Sequence, residues 1–73
     1  MNLILLTNAD FTATDRVRLS GRRHTHICKI LRASQGQKLR VGQIDGKSGL
    51  GTVVTLNSSS VELQVVFDRD PPQ

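Results

Sequence analysis

The sequence predicts a small, mainly β domain with one short helix, in which the strands form a small barrel. The chain has 73 residues, enough for one domain with a thin core. Segments of alternating or β-branched apolar residues occur on both sides of a single segment with helical periodicity. Turn-rich segments containing Gly and Ser separate the later strands. This order favours a barrel capped by the helix, with a twisted open sheet as the alternative.

Two strands and the helix are predicted in the first half of the chain. Residues 3–6 are an unbroken apolar run, which predicts a buried strand. Residues 16–19 alternate between basic and apolar side chains, which predicts a strand with one face in water. A helix is expected from residue 21 to about residue 33. Ser20 is the predicted N-cap, and Gly36 is the predicted left-handed residue that ends the segment.

The predicted helix has one apolar and one basic face. At about 100° per residue, the residues that share the arc expected to face the core are Ile27, Ile30 and Leu31. The residues on the opposite face are Arg22, His26 and Lys29, with Thr25 and Arg32 beside them. The outer face of the helix is therefore predicted to be basic.

The second half of the chain changes to a period of two, which is typical of strands. The predicted strands cover residues 38–44, 52–56 and 61–67. Turns are predicted between them at residues 45–49 and 57–60, consistent with two hairpins. The polar, Pro-containing end predicts a domain over residues 1–68 and the start of a linker over residues 69–73.

The basic residues are concentrated in one window of the sequence. Residues 16–40 contain eight Lys and Arg and no acidic residue, whereas the other 48 residues carry two basic and six acidic groups. This asymmetry favours a polyanion partner, the alternatives being a merely solvated basic face and, more weakly, a membrane surface. With only two Phe as aromatics, contacts to RNA shape and backbone are favoured over base stacking. No membrane partner is predicted, because the apolar run at residues 3–6 is too short to span.

The chain shows no predicted catalytic, cofactor or metal site. A single cysteine, Cys28, excludes an internal disulfide and favours a reducing, cytoplasmic location. His24, His26 and Cys28 are two apart, so a helix would not bring them together as ligands; Cys28 and His24 are expected to pack in the core. Residues 42–48 resemble a phosphate-binding loop but have three residues between the glycines instead of four. The glycines of residues 49–51 are predicted to serve a turn or a bulge.

Residues 19–65 resemble the N-terminal domain of the RsmE family of ribosomal RNA small-subunit uridine (N3) methyltransferases. The resemblance lies in a heptapeptide, a Gly36 turn, an Asp-Gly turn and two later strands; the heptapeptide is His26-Ile27-Cys28-Lys29-Ile30-Leu31-Arg32. The chain departs from the family at its start, where the usual Arg and aromatic residues are absent, and in the longer turn at residues 42–51. The resemblance implies a small PUA-like β-barrel that helps to hold ribosomal RNA. In the family, a following SPOUT domain binds S-adenosylmethionine, transfers the methyl group and usually dimerises.

The expected function is therefore a non-catalytic RNA-binding domain of a cytoplasmic 16S rRNA uridine-N3 methyltransferase, acting in rRNA processing and ribosome biogenesis. Its catalytic SPOUT domain, with the S-adenosylmethionine site and the homodimer contact, is expected outside this chain. The residues predicted to contact phosphate and sugar are Arg22, Arg23, His26, Lys29 and Arg32, supported by Lys38 and Arg40. Arg32 is also placed to lock the helix to the barrel instead. The alternative functions are a docking scaffold for the catalytic domain or a partner subunit, and an unrelated nucleic-acid-binding barrel.

Overall fold

The computed structural model describes residues 3–44 and 46–70. Its strands, in chain order, are β1 (Ile4–Leu6), β2 (Phe11–Ala13), β3 (Arg16–Ser20), β4 (Lys38–Gln43), β5 (Ser48–Leu56) and β6 (Ser60–Arg69). A 3₁₀ turn at Asn8–Asp10 joins β1 to β2. Between β3 and β4 the helix α1 (Gly21–Thr25) continues into a π-helical turn, His26–Ile30. The predicted class, mainly β with one short helix, is confirmed.

The six strands form a single sheet in the order β1-β4-β5-β6-β3-β2. The β1–β4 pairing is parallel, and the remaining neighbours are antiparallel. The sheet wraps around one core and leaves β1 and β2 as its two edges, so the described residues form a partly open barrel. The short β2 was not predicted, because three residues between turns carry too little periodicity to identify a strand.

Alternation along the long strands places one face on the core, as the sequence predicts. The buried residues of the sheet include Val17, Leu19, Leu39, Val41, Val53, Val61, Leu63 and Val65. The prediction for residues 3–6 is wrong in one respect. Only Ile4 and Leu6 are buried, whereas Leu3 and Leu5 are exposed, because an edge strand of this sheet has only one face on the core.

The helix is shorter than predicted and changes type after Thr25. In the π-helical turn, the Leu31 N–H donates to the carbonyl oxygen of His26, five residues back, at 3.0 Å. The wider turn shifts the residues that follow it around the axis. Ile27 is fully buried as predicted, but Ile30 is 67% exposed and Leu31 only partly buried. The prediction that all three share the core face is therefore wrong for Ile30.

The ends of the helix also differ from the prediction. Ser20 occupies the N-cap position, but its side chain makes no capping hydrogen bond. The helical segment ends at Ile30. Two residues later Arg32 has a φ of 51°, and the Ala33 N–H donates to the Ile27 carbonyl at 3.1 Å. Gly36 is left-handed with a φ of 87°, as predicted, but it lies in the following turn and does not end the helix.

Both predicted hairpins are present. β5 begins at Ser48, earlier than predicted, and a register shift between Ser48 and Gly49 confirms the predicted bulge. A Cβ on Gly49 would overlap the carbonyl oxygen of Val66, so only glycine fits this crossing of β5 and β6. In the second turn, the Asn57 side-chain oxygen accepts hydrogen bonds from the N–H groups of Ser59 and Ser60, both at 2.9 Å. This Asx-type turn accounts for the predicted break at residues 57–60.

Candidate nucleic-acid interface

Arg23 ties the helix to the start of the chain. Its guanidinium donates two hydrogen bonds to the Asp10 carboxylate, at 2.5 and 2.6 Å, and a third to the Leu5 carbonyl oxygen at 3.0 Å. The Asp10 carboxylate also accepts from the Thr7 N–H at 2.7 Å. The hydrogen bond from Arg23 lowers the pKa of the Asp10 carboxyl from its ordinary value, although burial opposes this effect, and the same pair raises the pKa of Arg23. The polar atoms of Arg23, a predicted RNA contact, are thus engaged within the protein.

Acidic residues from outside the basic window fold back onto it. Arg18 pairs with Glu62 at 3.7 Å, and Arg40 pairs with Asp68 at 3.5 Å. Together with the Arg23 pair, three of the eight window cations have a carboxylate neighbour. Within residues 3–44 and 46–70, the window cations without an ion pair are Arg16, Arg22, Lys29, Arg32 and Lys38. Among the described residues, the window therefore has fewer unpaired cations than the eight Lys and Arg in its sequence.

The helix places the first group of predicted contacts beside β1. Arg22 and His26 are one turn apart, and both line a cleft of about 270 Å³ against the side chains of Leu3 and Leu5. Lys29 is exposed further along the same segment. These side chains present donors at the surface, which is the arrangement that contacts to phosphate require.

Arg32 lies at the end of this segment and is exposed. Its side chain makes no polar contact to another described residue, so no hydrogen bond or ion pair there locks the helix to the barrel. Its positive φ gives Arg32 a backbone role in ending the helix. The side chain remains available to a ligand, as the first of the two predicted alternatives requires.

The sheet places the second group on its outer face. Leu39 and Val41 point into the core, so Lys38 and Arg40 lie on the outside of β4. The strand registers continue from Lys38 into one row across four strands, whose members are Lys38, Thr52, Gln64 and Arg16. At about 4.8 Å per strand, the two cations at its ends are roughly 14 Å apart along the backbone. Of this row, sequence reasoning predicted only Lys38 as an RNA contact, because only the pairing register makes the other three residues its neighbours.

The possible metal ligands serve the packing of the helix. His24 Nε2 lies 2.7 Å from the Asn57 carbonyl oxygen and 3.3 Å from Cys28 Sγ. This contact ties the helix to the β5–β6 turn. Both residues are half-buried, so the prediction of core packing holds only in part. Within the described ranges, no group of three His, Cys, Asp or Glu side chains is placed to hold a metal ion. Among the same residues, no helix has the length and apolar character needed to cross a membrane.

Comparison with known proteins identifies the fold and the family. The sequence model of a family described as the RNA methyltransferase PUA domain matches residues 19–66. No curated protein sequence matches the chain. Among solved structures, the chain is similar to a protein of Legionella pneumophila assigned as a methyltransferase and bound to S-adenosylmethionine. That match has a TM-score of 0.73 at 19% identity and covers 88% of this chain and 26% of the other.

Two further solved structures show the same fold. A predicted RNA methyltransferase of Thermotoga maritima has a TM-score of 0.71 at 14% identity, covering 97% of this chain and 31% of the other. The ribosomal RNA small subunit methyltransferase E of Neisseria gonorrhoeae, bound to S-adenosylmethionine, has a TM-score of 0.66 at 14% identity, covering 92% and 28%. The chain thus spans about a quarter to a third of the length of these proteins, and the likeness establishes a small β domain of the same kind.

Proposed function

Since the chain belongs to the family of RNA methyltransferase PUA domains, as its resemblance to the RsmE family predicted, we propose that it is the RNA-binding domain of a 16S rRNA uridine-N3 methyltransferase. It holds ribosomal RNA for a catalytic SPOUT domain that lies outside this chain. That domain binds S-adenosylmethionine and forms the homodimer of the parent enzyme, which works in the cytoplasm. Residues 1–68 form the domain and residues 69–73 begin the linker. The chain by itself carries no catalytic role.

The observation that carries this proposal is the group of exposed cations on and after the helix. Arg22, Lys29 and Arg32 have no carboxylate partner in the part of the chain that the structure describes, and His26 lies between them in sequence. Cations in this state release counterions from a nucleic acid at no internal cost, because no ion pair must first be broken. Binding through them fixes the position of the RNA without reading most of its sequence.

The test is an RNA-binding titration with the charge-reversal variant Arg22→Glu. Fluorescence anisotropy with a structured small-subunit rRNA fragment is expected to show a loss of affinity of about tenfold, the effect of losing one charge-assisted phosphate contact. The slope of log K against log salt is expected to become shallower by roughly one unit or slightly less.

The matched control is Arg69→Glu, which also lowers the net charge from +4 to +2. Arg69 lies at the end of β6 opposite to Ser60, away from the helix. If both variants lose affinity equally, the effect is one of net charge and the proposed face is wrong. Unchanged binding by Arg22→Glu would also contradict the proposal.

A docking function is the second candidate, and one feature favours it. A cavity of about 410 Å³ lies near the β4–β5 turn, at the end of the barrel that we call the hairpin end. It is lined by Asn8, Phe11, Ala13, Thr14, Gln43, Lys47 and Phe67. Phe67 is near the end of β6, where the polypeptide continues toward the proposed linker. If the catalytic domain docks there, adding that domain raises the melting temperature of the 73-residue chain, and Phe67→Ala removes the increase. No increase with the catalytic domain present would count against docking.

A further inference from the structure

The cleft between β1 and the helix has a floor of apolar side chains, although it lies at the protein surface. Leu3 and Leu5 are 46% and 54% exposed, and both lie on the face of β1 that turns away from the core. Exposed leucines are common singly, but adjacent ones in a concave site indicate a ligand surface. The Leu3 methyl groups lie over Gly42 of β4, 3.4 and 3.5 Å from the position that a Cβ would take there.

One wall of this cleft is a fixed guanidinium. Arg23 lines the cleft, and its hydrogen bonds to Asp10 and Leu5 are already made. A guanidinium held in this way does not need to be ordered by a ligand, and its remaining contact surface is the flat face and the aliphatic stem. The half-buried imidazole of His26 lines the same cleft. Flat cationic and imidazole groups are the partners on which unpaired RNA bases stack.

The rim of the cleft is positively charged on the helix side. Arg22, without an ion pair among the described residues, stands on the helix side. On the sheet side, Lys38 and Arg40 lie on the outer face of β4, which continues the face of β1 that carries Leu3 and Leu5, but neither of them lines the cleft. An apolar floor beside an unpaired cation matches a nucleotide, which has an apolar base and a charged phosphate. An apolar protein segment would make no charge-assisted contact with the cationic rim.

We propose that this cleft seats one unpaired nucleobase of the bound RNA, with the base on Leu3 and Leu5 and its phosphates at the rim. The inference rests on the proposed RNA-binding function and adds a preference to it. A base can enter only where it is not paired, in a loop or bulge, because extracting it from a duplex costs unstacking and unpairing energy. At about 270 Å³, the cleft has room for a base.

The test compares two RNA hairpins of equal length and charge, one perfectly paired and one with a single bulged nucleotide. The 73-residue chain is expected to bind the bulged hairpin about tenfold more tightly, the effect of one stacked base. Methyl NMR spectra are expected to show shifts of Leu3 and Leu5 with the bulged RNA and much smaller ones with the paired RNA. Leu5→Ala is expected to bring the affinity for the bulged hairpin close to that for the paired one.

The matched control is Val66→Ala, which truncates another exposed apolar side chain, 64% exposed, on β6. It is expected to keep the preference for the bulge, and both variants are checked for native folding by their amide NMR spectra. Equal affinity of the unmodified chain for the two hairpins would overturn the nucleobase site while leaving the basic face intact, provided that Arg22→Glu still weakens both. A preference for the bulge that survives Leu5→Ala would also overturn the nucleobase site. The exposed leucines would then be candidates for contact with a protein partner. Absence of binding to either hairpin at low salt would overturn the proposed function itself.

Discussion

The two ends of the barrel are held together by different interactions. At the helix end, polar contacts join separate elements: Arg23 to Asp10, and His24 to the carbonyl of Asn57. At the hairpin end, near the β4–β5 turn, an aromatic pair and a close approach of two strands contribute to the packing. Phe11 and Phe67 pack with ring centroids 6.4 Å apart at an angle of 38°, and Gly49 allows β5 to lie directly against β6.

This difference separates the cations that hold the fold together from those that remain at the surface. The helix end uses Arg23 and His24 for internal contacts and so leaves Arg22 and Lys29 free at the surface. Neighbouring arginines thus differ, since Arg23 fixes the helix while Arg22 has no ion pair among the described residues and lines the cleft beside β1. The hairpin end has a cavity that contains the rings of Phe11 and Phe67, which suits packing against polypeptide better than contact with phosphate.

The largest expected effect is on the close backbone contact at the hairpin end. Gly49→Ala places a Cβ against the Val66 carbonyl, so β5 and β6 must separate. We expect the free energy of unfolding to fall by about 3 kcal/mol, a large part of the stability of a domain this small. Urea denaturation followed by circular dichroism measures the change.

The control for Gly49→Ala is the same substitution at Gly42. There a Cβ would meet the Leu3 methyl groups and the Lys47 carbonyl oxygen at 3.4 to 3.5 Å, which is ordinary contact. Gly42→Ala should therefore cost much less stability than Gly49→Ala. Equal losses at the two positions would mean that the close approach at Gly49 does not hold the hairpin end together.

The next effect concerns the polar contacts of the helix end. Asp10→Asn keeps the shape of the side chain but removes its charge, and we expect a loss of about 1–2 kcal/mol at neutral pH for the weakened, partly exposed pair with Arg23. Because the folded protein lowers the pKa of the Asp10 carboxyl, the stabilisation is present above the ordinary value of 3.8 and is lost as the pH falls below it. Thermal melts at pH 7 and at about pH 2–3 measure the difference between the two proteins.

The expected signature of the Asp10–Arg23 pair is a difference in melting temperature that depends on pH. The melting temperatures of the native chain and Asp10→Asn should converge in acid, whereas a gap of constant size would show that the substitution acts through packing alone. Asp15→Asn is the control, since Asp15 is an exposed carboxylate whose side chain contacts only Gln64, at 3.5 Å. It should leave the melting temperature nearly unchanged.

The sequence predicted what depends on local pattern. Alternation in residues 16–19 and 61–67 identified two strands and the faces they bury, and the Gly and Ser clusters located both hairpins. It failed where pattern is short or where geometry departs from the ideal. β2 is three residues long, and the π-helical turn moved Ile30 from the expected core face to the surface.

The candidate site was predictable in composition but not in arrangement. The basic window pointed to the helix, yet the carboxylates that neutralise Arg23 and Arg40 come from distant segments. Base stacking was disfavoured by counting aromatic residues, and no count could show that Leu3 and Leu5 line a cleft with Arg23. Long-range pairing and edge position decide these features, and a single sequence carries neither.

The smallest expected effect tests whether the ion pair between Arg40 and Asp68 lowers the affinity of the basic face for RNA. Arg40 and Asp68 are 3.5 Å apart, and their side chains are 32% and 47% exposed, so the pair contributes little to folding. Asp68→Asn should change the free energy of unfolding by less than about 1 kcal/mol. It releases Arg40 toward the face shared with Lys38, and we expect RNA affinity to rise about two- to threefold at low salt and to return toward the native value as salt is added.

Asp70→Asn makes the same change in net charge but touches no ion pair among the described residues. If it raises RNA affinity as much as Asp68→Asn does, the gain comes from net charge alone and Arg40 is not a contact. If only Asp68→Asn raises affinity, Arg40 belongs to the RNA surface. That surface then extends from the helix onto the outer face of β4. A carboxylate from the last strand would then set how strongly the sheet side of the surface attracts phosphate.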